Sequence, residues 1–105
     1  SGFSTGQLQR IALSAAIYRL LHPDVHVGIF DEPMAHCDIE TRQRFYEALT
    51  SSPELQKKTV IVVLHDPAFL SLFKRVVAFE EGRVVRDLRD VKEISRYHEE
   101  SVNKK

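Results

Sequence analysis

Val25-His26-Val27-Gly28-Ile29-Phe30-Asp31-Glu32-Pro33 is a short apolar run that ends on two carboxylates and a proline. Val25 to Phe30 reads as a buried strand, and Pro33 stops it and fixes the turn that follows. A second run, Thr59 to Leu64, is β-branched, unbroken and followed by His65-Asp66. With no polar alternation it predicts a fully buried strand of the parallel-sheet type. Between the two, Asp38 is placed to cap a helix from Ile39 to about Leu49, with Phe45, Tyr46 and Leu49 facing inward and Ser51-Ser52-Pro53 closing it. Strand, helix and strand make a βαβ unit with a right-handed crossover. That topology brings Asp31-Glu32 and His65-Asp66 to one edge of a parallel sheet, the carboxyl edge at which open α/β sheets bind ligands.

Upstream, Ser4-Thr5-Gly6-Gln7 fits the S-x-x-Q capping box. Leu8, Ile11, Ala12, Ala15, Ala16 and Leu20 then recur at helical spacing, which predicts a helix from about Gly6 to Leu21, ended by Pro23. Downstream, Asp66-Pro67 supplies an N-cap and a first-turn proline for a short helix to about Phe73. Arg75 to Phe79 and Arg83 to Asp87 flank Glu80-Glu81-Gly82 as a hairpin, and Asp90 to Glu100 is a polar, helical tail. The expected division is residues 1–89 as one α/β body and 90–105 as the tail.

The chain has 105 residues, 43% of them apolar, enough for one small core. Lys plus Arg and Asp plus Glu balance at 15 each, so charge gives no argument for a nucleic-acid or anionic-membrane partner. A lone cysteine, Cys37, excludes an internal disulfide framework and fits a reducing compartment; it reads as a small packing residue. The longest apolar run, Val60 to Leu64, is too short to span a bilayer, and no signal peptide opens the chain.

The chemistry-bearing residues are individually commonplace. An Asp-Glu pair is usually a solvated strand end, a histidine after an apolar run is usually structural, and most S-x-x-Q matches only cap a helix. Together they offer more. A carboxylate after an apolar strand, Asp31, can hold Mg²⁺ through water, and its neighbour Glu32 can act as base on an attacking water. His65, on the same sheet edge, can donate to a γ-phosphate or orient water. The helix start at Ser4 to Gly6 presents N–H groups and a dipole suited to an anion.

Order and spacing carry a family resemblance. Phe3-Ser4-Thr5-Gly6-Gln7-Leu8-Gln9-Arg10 resembles the L-S-G-G-Q-x-Q-R signature of ABC-type ATPases, and Val27 to Pro33 their Walker B strand. Ala35-His36-Cys37-Asp38 stands where their D-loop would, and Val62 to Asp66 is similar to their H-loop. The resemblance runs from Phe3 to about Leu88. It implies a partial P-loop NTPase-type sheet flanked by helices, with ATP and Mg²⁺ as cofactors. It also implies Asp31 as the Mg²⁺ carboxylate, Glu32 as base and His65 at the γ-phosphate. Asp38 would bridge to the opposite subunit, and Ser4, Thr5, Gly6 and Gln7 would cap an ATP held by a partner's P-loop. Departures are Thr5 for the first signature glycine, and Met34, His36 and Cys37 for the usual Thr, Ala and Leu.

No G-x-x-x-x-G-K-[ST] occurs, so the glycine cradle, its lysine and its Mg²⁺-binding hydroxyl are not in these residues. The chain therefore reads as the C-terminal half of an ABC-type domain, cut or naturally split. It would need an N-terminal half carrying the P-loop, a second ATPase subunit head to tail, and a membrane-spanning transporter subunit that holds it at the cytoplasmic face. The transporter reading leads; the alternatives are one half of an SMC or DNA-repair ATPase head and a non-catalytic interaction module. With the P-loop strand missing, the edge of Thr59 to Leu64 is expected to be open and prone to pairing.

Overall fold

The computed structural model describes residues 4–103. They form an α/β fold in two compact units, residues 4–65 and 66–103. In the first unit, helix α1 (Thr5–Leu20) leads to strand β1 (Val27–Asp31), helix α2 (Ile39–Ser51), the single-turn helix α3 (Pro53–Gln56) and strand β2 (Thr59–Val63). Strands β1 and β2 pair in parallel, from Val27 opposite Thr59 to Asp31 opposite Val63, as the βαβ reading requires. Helix α3 was not foreseen: Pro53, expected only to end α2, occupies the first turn of a new helix, where its missing N–H costs nothing.

Both helices lie on one face of the sheet. A Cβ on Gly28 would fall 2.9 Å from a Leu20 methyl, so α1 rests directly on β1. Phe30 packs edge-on to Phe45 of α2, with ring centroids 6.3 Å apart, and Phe45 in turn to Tyr46. Leu20, Phe30, Met34, Tyr46, Leu49 and Leu55 are all buried in this unit. Lys58 ties the loop after α1 to the start of β2, its Nζ donating to the His22 and Val25 carbonyls at 2.9 and 2.6 Å.

Gly28→Ala is expected to destabilise the chain by about 1–3 kcal/mol, the usual penalty of overpacking. The clash is with a Leu20 side chain that is itself 2% exposed and has little room to move. Thermal unfolding followed by circular dichroism checks this, and an unchanged midpoint would show that α1 slides freely on the sheet.

Two expectations are corrected. The strand over Thr59 to Leu64 is not fully buried: Thr59, Ile61 and Val63 alternate outward, in register with Val27, Ile29 and Asp31 of β1. One face of the sheet is therefore open and apolar, with Ile29 69% exposed. The predicted inner stripe of α1 is also wrong in part. Gly6, Gln9, Leu13, Ala16, Ile17 and Leu20 turn inward, whereas Leu8, Ile11, Ala12 and Ala15 are exposed. Helix α1 carries apolar residues on more than one side, so periodicity alone could not choose its buried side.

In the second unit, Asp66 caps the 3₁₀ turn Pro67–Leu72, its carboxylate accepting from the Ala68 N–H at 3.0 Å. The antiparallel hairpin of β3 (Val76–Glu80) and β4 (Arg83–Leu88) turns through Glu81 and Gly82, both with positive φ, the two-residue geometry that matches strand twist. Helix α4 (Val91–Asn103) follows. Val76, Leu88 and Ile94 form its core, with Leu70, Phe73 and Tyr97 packed around them. The Arg75 guanidinium grips the Asp87 carboxylate at 2.9 and 3.0 Å and holds that carboxyl below its usual range.

Candidate functional site

Glu32 and His65 meet at the carboxyl edge of the sheet. The Glu32 N–H donates to the Val63 carbonyl at 2.9 Å, extending the β1–β2 ladder one step past Asp31. The chain then turns with Glu32 at φ 46°, a left-handed backbone that a residue with a Cβ rarely adopts. The turn sends the Glu32 carboxylate across the strand ends, where it accepts a hydrogen bond from the His65 backbone N–H. The His65 imidazole Nε2 stands 3.7 Å from the same carboxylate and is 83% exposed, free to meet a ligand. Strained backbone of this kind is found where the surroundings impose it, and such places are often functional. Asp31, one residue earlier, lies on the open face of β1.

A second cluster gathers at the helix starts. Ser4 and Gln7 close a full capping box: the Ser4 hydroxyl accepts from the Gln7 N–H at 3.1 Å, and Gln7 Oε1 from the Ser4 N–H at 2.8 Å. With the Leu8 N–H bound to the Ser4 carbonyl, the first-turn donors left over are those of Thr5 and Gly6. Thr5 is helical, so the threonine in place of a signature glycine needs no left-handed backbone. Asp38 caps α2 by accepting from the Thr41 N–H at 2.8 Å. Hydrogen bonds from Thr41 hold the Asp38 carboxyl below its usual range, with Arg10 and Arg44 adding attraction. The two helix starts share a pocket of about 410 Å³ lined by Ser4, Gly6, Gln7, Arg10, Asp38 and Thr41 among others.

The predicted residues therefore fall into two groups: Asp31, Glu32 and His65 at the strand ends, and Ser4, Thr5, Gly6, Gln7 and Asp38 around the helix starts. Phe3, the first residue of the signature-like stretch, lies outside the described residues. Met34, read from sequence as a departure in the loop, is 2% exposed and belongs to the core. Sequence reasoning gave Gln9 no role beyond its place in the signature-like stretch; its Oε1 accepts from the His36 N–H at 3.0 Å, a contact across 27 residues that helical spacing does not mark. Among the described residues, no group of three or more His, Cys, Asp or Glu side chains could hold a metal unaided, and no helix is long and apolar enough to cross a membrane.

No family model matches the chain. Among curated proteins it is similar to two aliphatic sulfonates import ATP-binding proteins. One, from Agrobacterium fabrum, is 38% identical over 85% of this chain and 31% of that protein. The other, from Rhodopseudomonas palustris, is 38% identical over 81% of the chain and 29% of that protein. A biotin transport ATP-binding protein from Rhizobium etli is 32% identical over 91% of the chain and 39% of that protein. The chain thus spans about a third of the length of these three relatives. Among solved structures, an SMC ATPase described for ATP-driven dimerization and DNA-stimulated activation superposes with a TM-score of 0.69. It is 18% identical, over 98% of this chain and 63% of that one, a likeness of fold alone. The chain thus shares its α/β fold with an ATPase head, and over 81–91% of its length it is similar in sequence to ABC transporter ATP-binding proteins.

Proposed function

We propose that this chain is the part of an ABC transporter ATPase that supplies the helix-start cap and the catalytic carboxylate to a composite ATP site. The observation that carries the reading is the Glu32–His65 pair: a base candidate held by a strained turn beside an exposed imidazole at the carboxyl edge of a parallel sheet. Glu32 takes the proton of the attacking water, and His65 contacts the γ-phosphate. The free N–H groups of Thr5 and Gly6, with the Ser4 hydroxyl, meet phosphate oxygens of a nucleotide held by a partner's P-loop. Asp31 alone cannot cage a metal, but one carboxylate with water and phosphate oxygens is the usual shell of Mg²⁺. Bound Mg²⁺ would neutralise charge on the phosphates. Asp38 reaches the opposite subunit in a head-to-tail dimer, and a membrane-spanning partner determines the cargo. The transporter reading is preferred to an SMC-type head because it rests on relatives up to 38% identical, against 18% for the SMC structure.

The chain by itself, lacking a phosphate cradle, is expected to bind Mg-ATP very weakly and not to hydrolyse it, whereas the domain completed by a P-loop half does both. Isothermal titration and phosphate release on both forms test this. A micromolar dissociation constant for the chain alone, or no hydrolysis by the completed domain, would overturn the proposal.

A further inference from the structure

Two contacts on one face of α1 seat the loop that precedes α2. Gly6 lies so close to this loop that a Cβ there would be 3.0 Å from the His36 carbonyl oxygen. One turn on, Gln9 uses its amide oxygen twice, accepting from the His36 backbone N–H at 3.0 Å and from the Cys37 thiol at 3.6 Å. Gln9 is half-buried on the inward face that also carries Leu13. The partners are 27 and 28 residues away in sequence, so this amide fastens the first turns of α1 to the residues that immediately precede Asp38.

We propose that Gln9 is a positioning residue that locks the starts of α1 and α2 into one unit, so that the Ser4–Gln7 turn and Asp38 face their shared pocket in fixed relation. The geometry favours this over ordinary packing. A carbonyl oxygen has two lone pairs, and here both meet donors from consecutive residues of one loop. Within the loop itself, Cys37 N–H to the Met34 carbonyl at 3.1 Å and Ala35 N–H to the Glu32 carbonyl at 3.3 Å are local turns that give shape but no anchorage to α1. The same loop begins at Glu32, so Gln9 also restrains the far end of the segment whose near end carries the proposed base. The functional consequence rests on the nucleotide reading above: a phosphate at the α1 start and a subunit contact at Asp38 would be felt by each other through Gln9.

The test uses Cys37, the one cysteine of this sequence, as reporter, in protein free of nucleotide. Gln9→Leu keeps side-chain bulk without an acceptor; Gln9→Glu keeps an acceptor oxygen at the same reach. Alkylation of Cys37 by iodoacetamide, followed by mass on its peptide, should run about two- to tenfold faster in Gln9→Leu, the population change that loss of one hydrogen bond brings. Gln9→Glu should react at or below the wild-type rate. Equal rates in Gln9→Leu and wild type, or Gln9→Glu as fast as Gln9→Leu, would overturn the proposal. Independently of any variant, the His36 amide of the wild type should exchange with solvent at least about tenfold slower than an open loop amide, and free exchange there would also overturn it. In the completed domain, the effects of Ser4→Ala and Asp38→Ala on ATP-dependent association should be coupled in the wild type and additive in Gln9→Leu. Coupling that persists in Gln9→Leu counts against the proposal. If the wild type shows no ATP-dependent association, the nucleotide reading falls, while the thiol and exchange results still decide the role of Gln9.

Discussion

Glu32→Gln in the completed domain is expected to lower steady-state ATP hydrolysis by about 100-fold or more, the usual worth of a positioned general base, while ATP-dependent association of subunits persists. Both halves of this prediction follow from the geometry. The glutamine amide oxygen can still accept the His65 backbone N–H, so the tie across the two strand ends survives the substitution. What it cannot do is take a proton from water. Glu32→Ala removes the tie as well as the base, so it should also loosen the His65 backbone, seen as faster exchange of its amide. Glu32→Gln should leave that exchange near the wild-type rate. Hydrolysis reduced by less than about tenfold, or about 1.4 kcal/mol of barrier, would mean that Glu32 is not the principal base.

The second large effect concerns the open sheet face of Val27, Ile29, Ile61 and Val63. Ile61→Ala should change the stability of this chain alone by no more than about 0.5 kcal/mol, because the side chain is already 49% exposed. In the completed domain the same substitution should cost about 2–5 kcal/mol, as truncation of a core isoleucine does. The contrast identifies the face as one that further polypeptide covers. Chain alone should also self-associate through this face and the free strand edges, and Ile61→Lys should suppress that association. Chemical denaturation of both forms, with analytical ultracentrifugation of the chain, measures each effect. A cost in the completed domain as small as in the chain would mean that the face stays in solvent.

Those two predictions draw on parts of the molecule that differed in how plainly the sequence announced them. The βαβ unit and its parallel pairing were readable because Val25 to Phe30 and Thr59 to Leu64 are short apolar runs with carboxylates or histidine at their ends. The hairpin was readable because two strand-like runs, Arg75 to Phe79 and Arg83 to Asp87, flank a short Glu80-Glu81-Gly82 link with a glycine. Burial was not. Both strands are written for a sheet covered on two sides, and α1 carries apolar residues on more than one side, so the pattern describes an environment that these residues alone do not provide. The side-chain ties were hidden for another reason: Gln9 to His36, and Lys58 to the carbonyls of His22 and Val25, depend on loop paths that local spacing does not encode.

The backbone at Glu32 sets two demands against each other at one position. A left-handed turn suits glycine, whereas proton transfer calls for a carboxylate on a long arm. Glycine there would relieve about 1–2 kcal/mol of steric cost, less whatever the tie to His65 contributes. Laboratory evolution of this protein under selection for heat resistance alone would thus be rewarded for discarding the residue that selection for turnover must keep. Frequencies at position 32 in two such libraries, one sorted by survival on heating and one by turnover, should move in opposite directions.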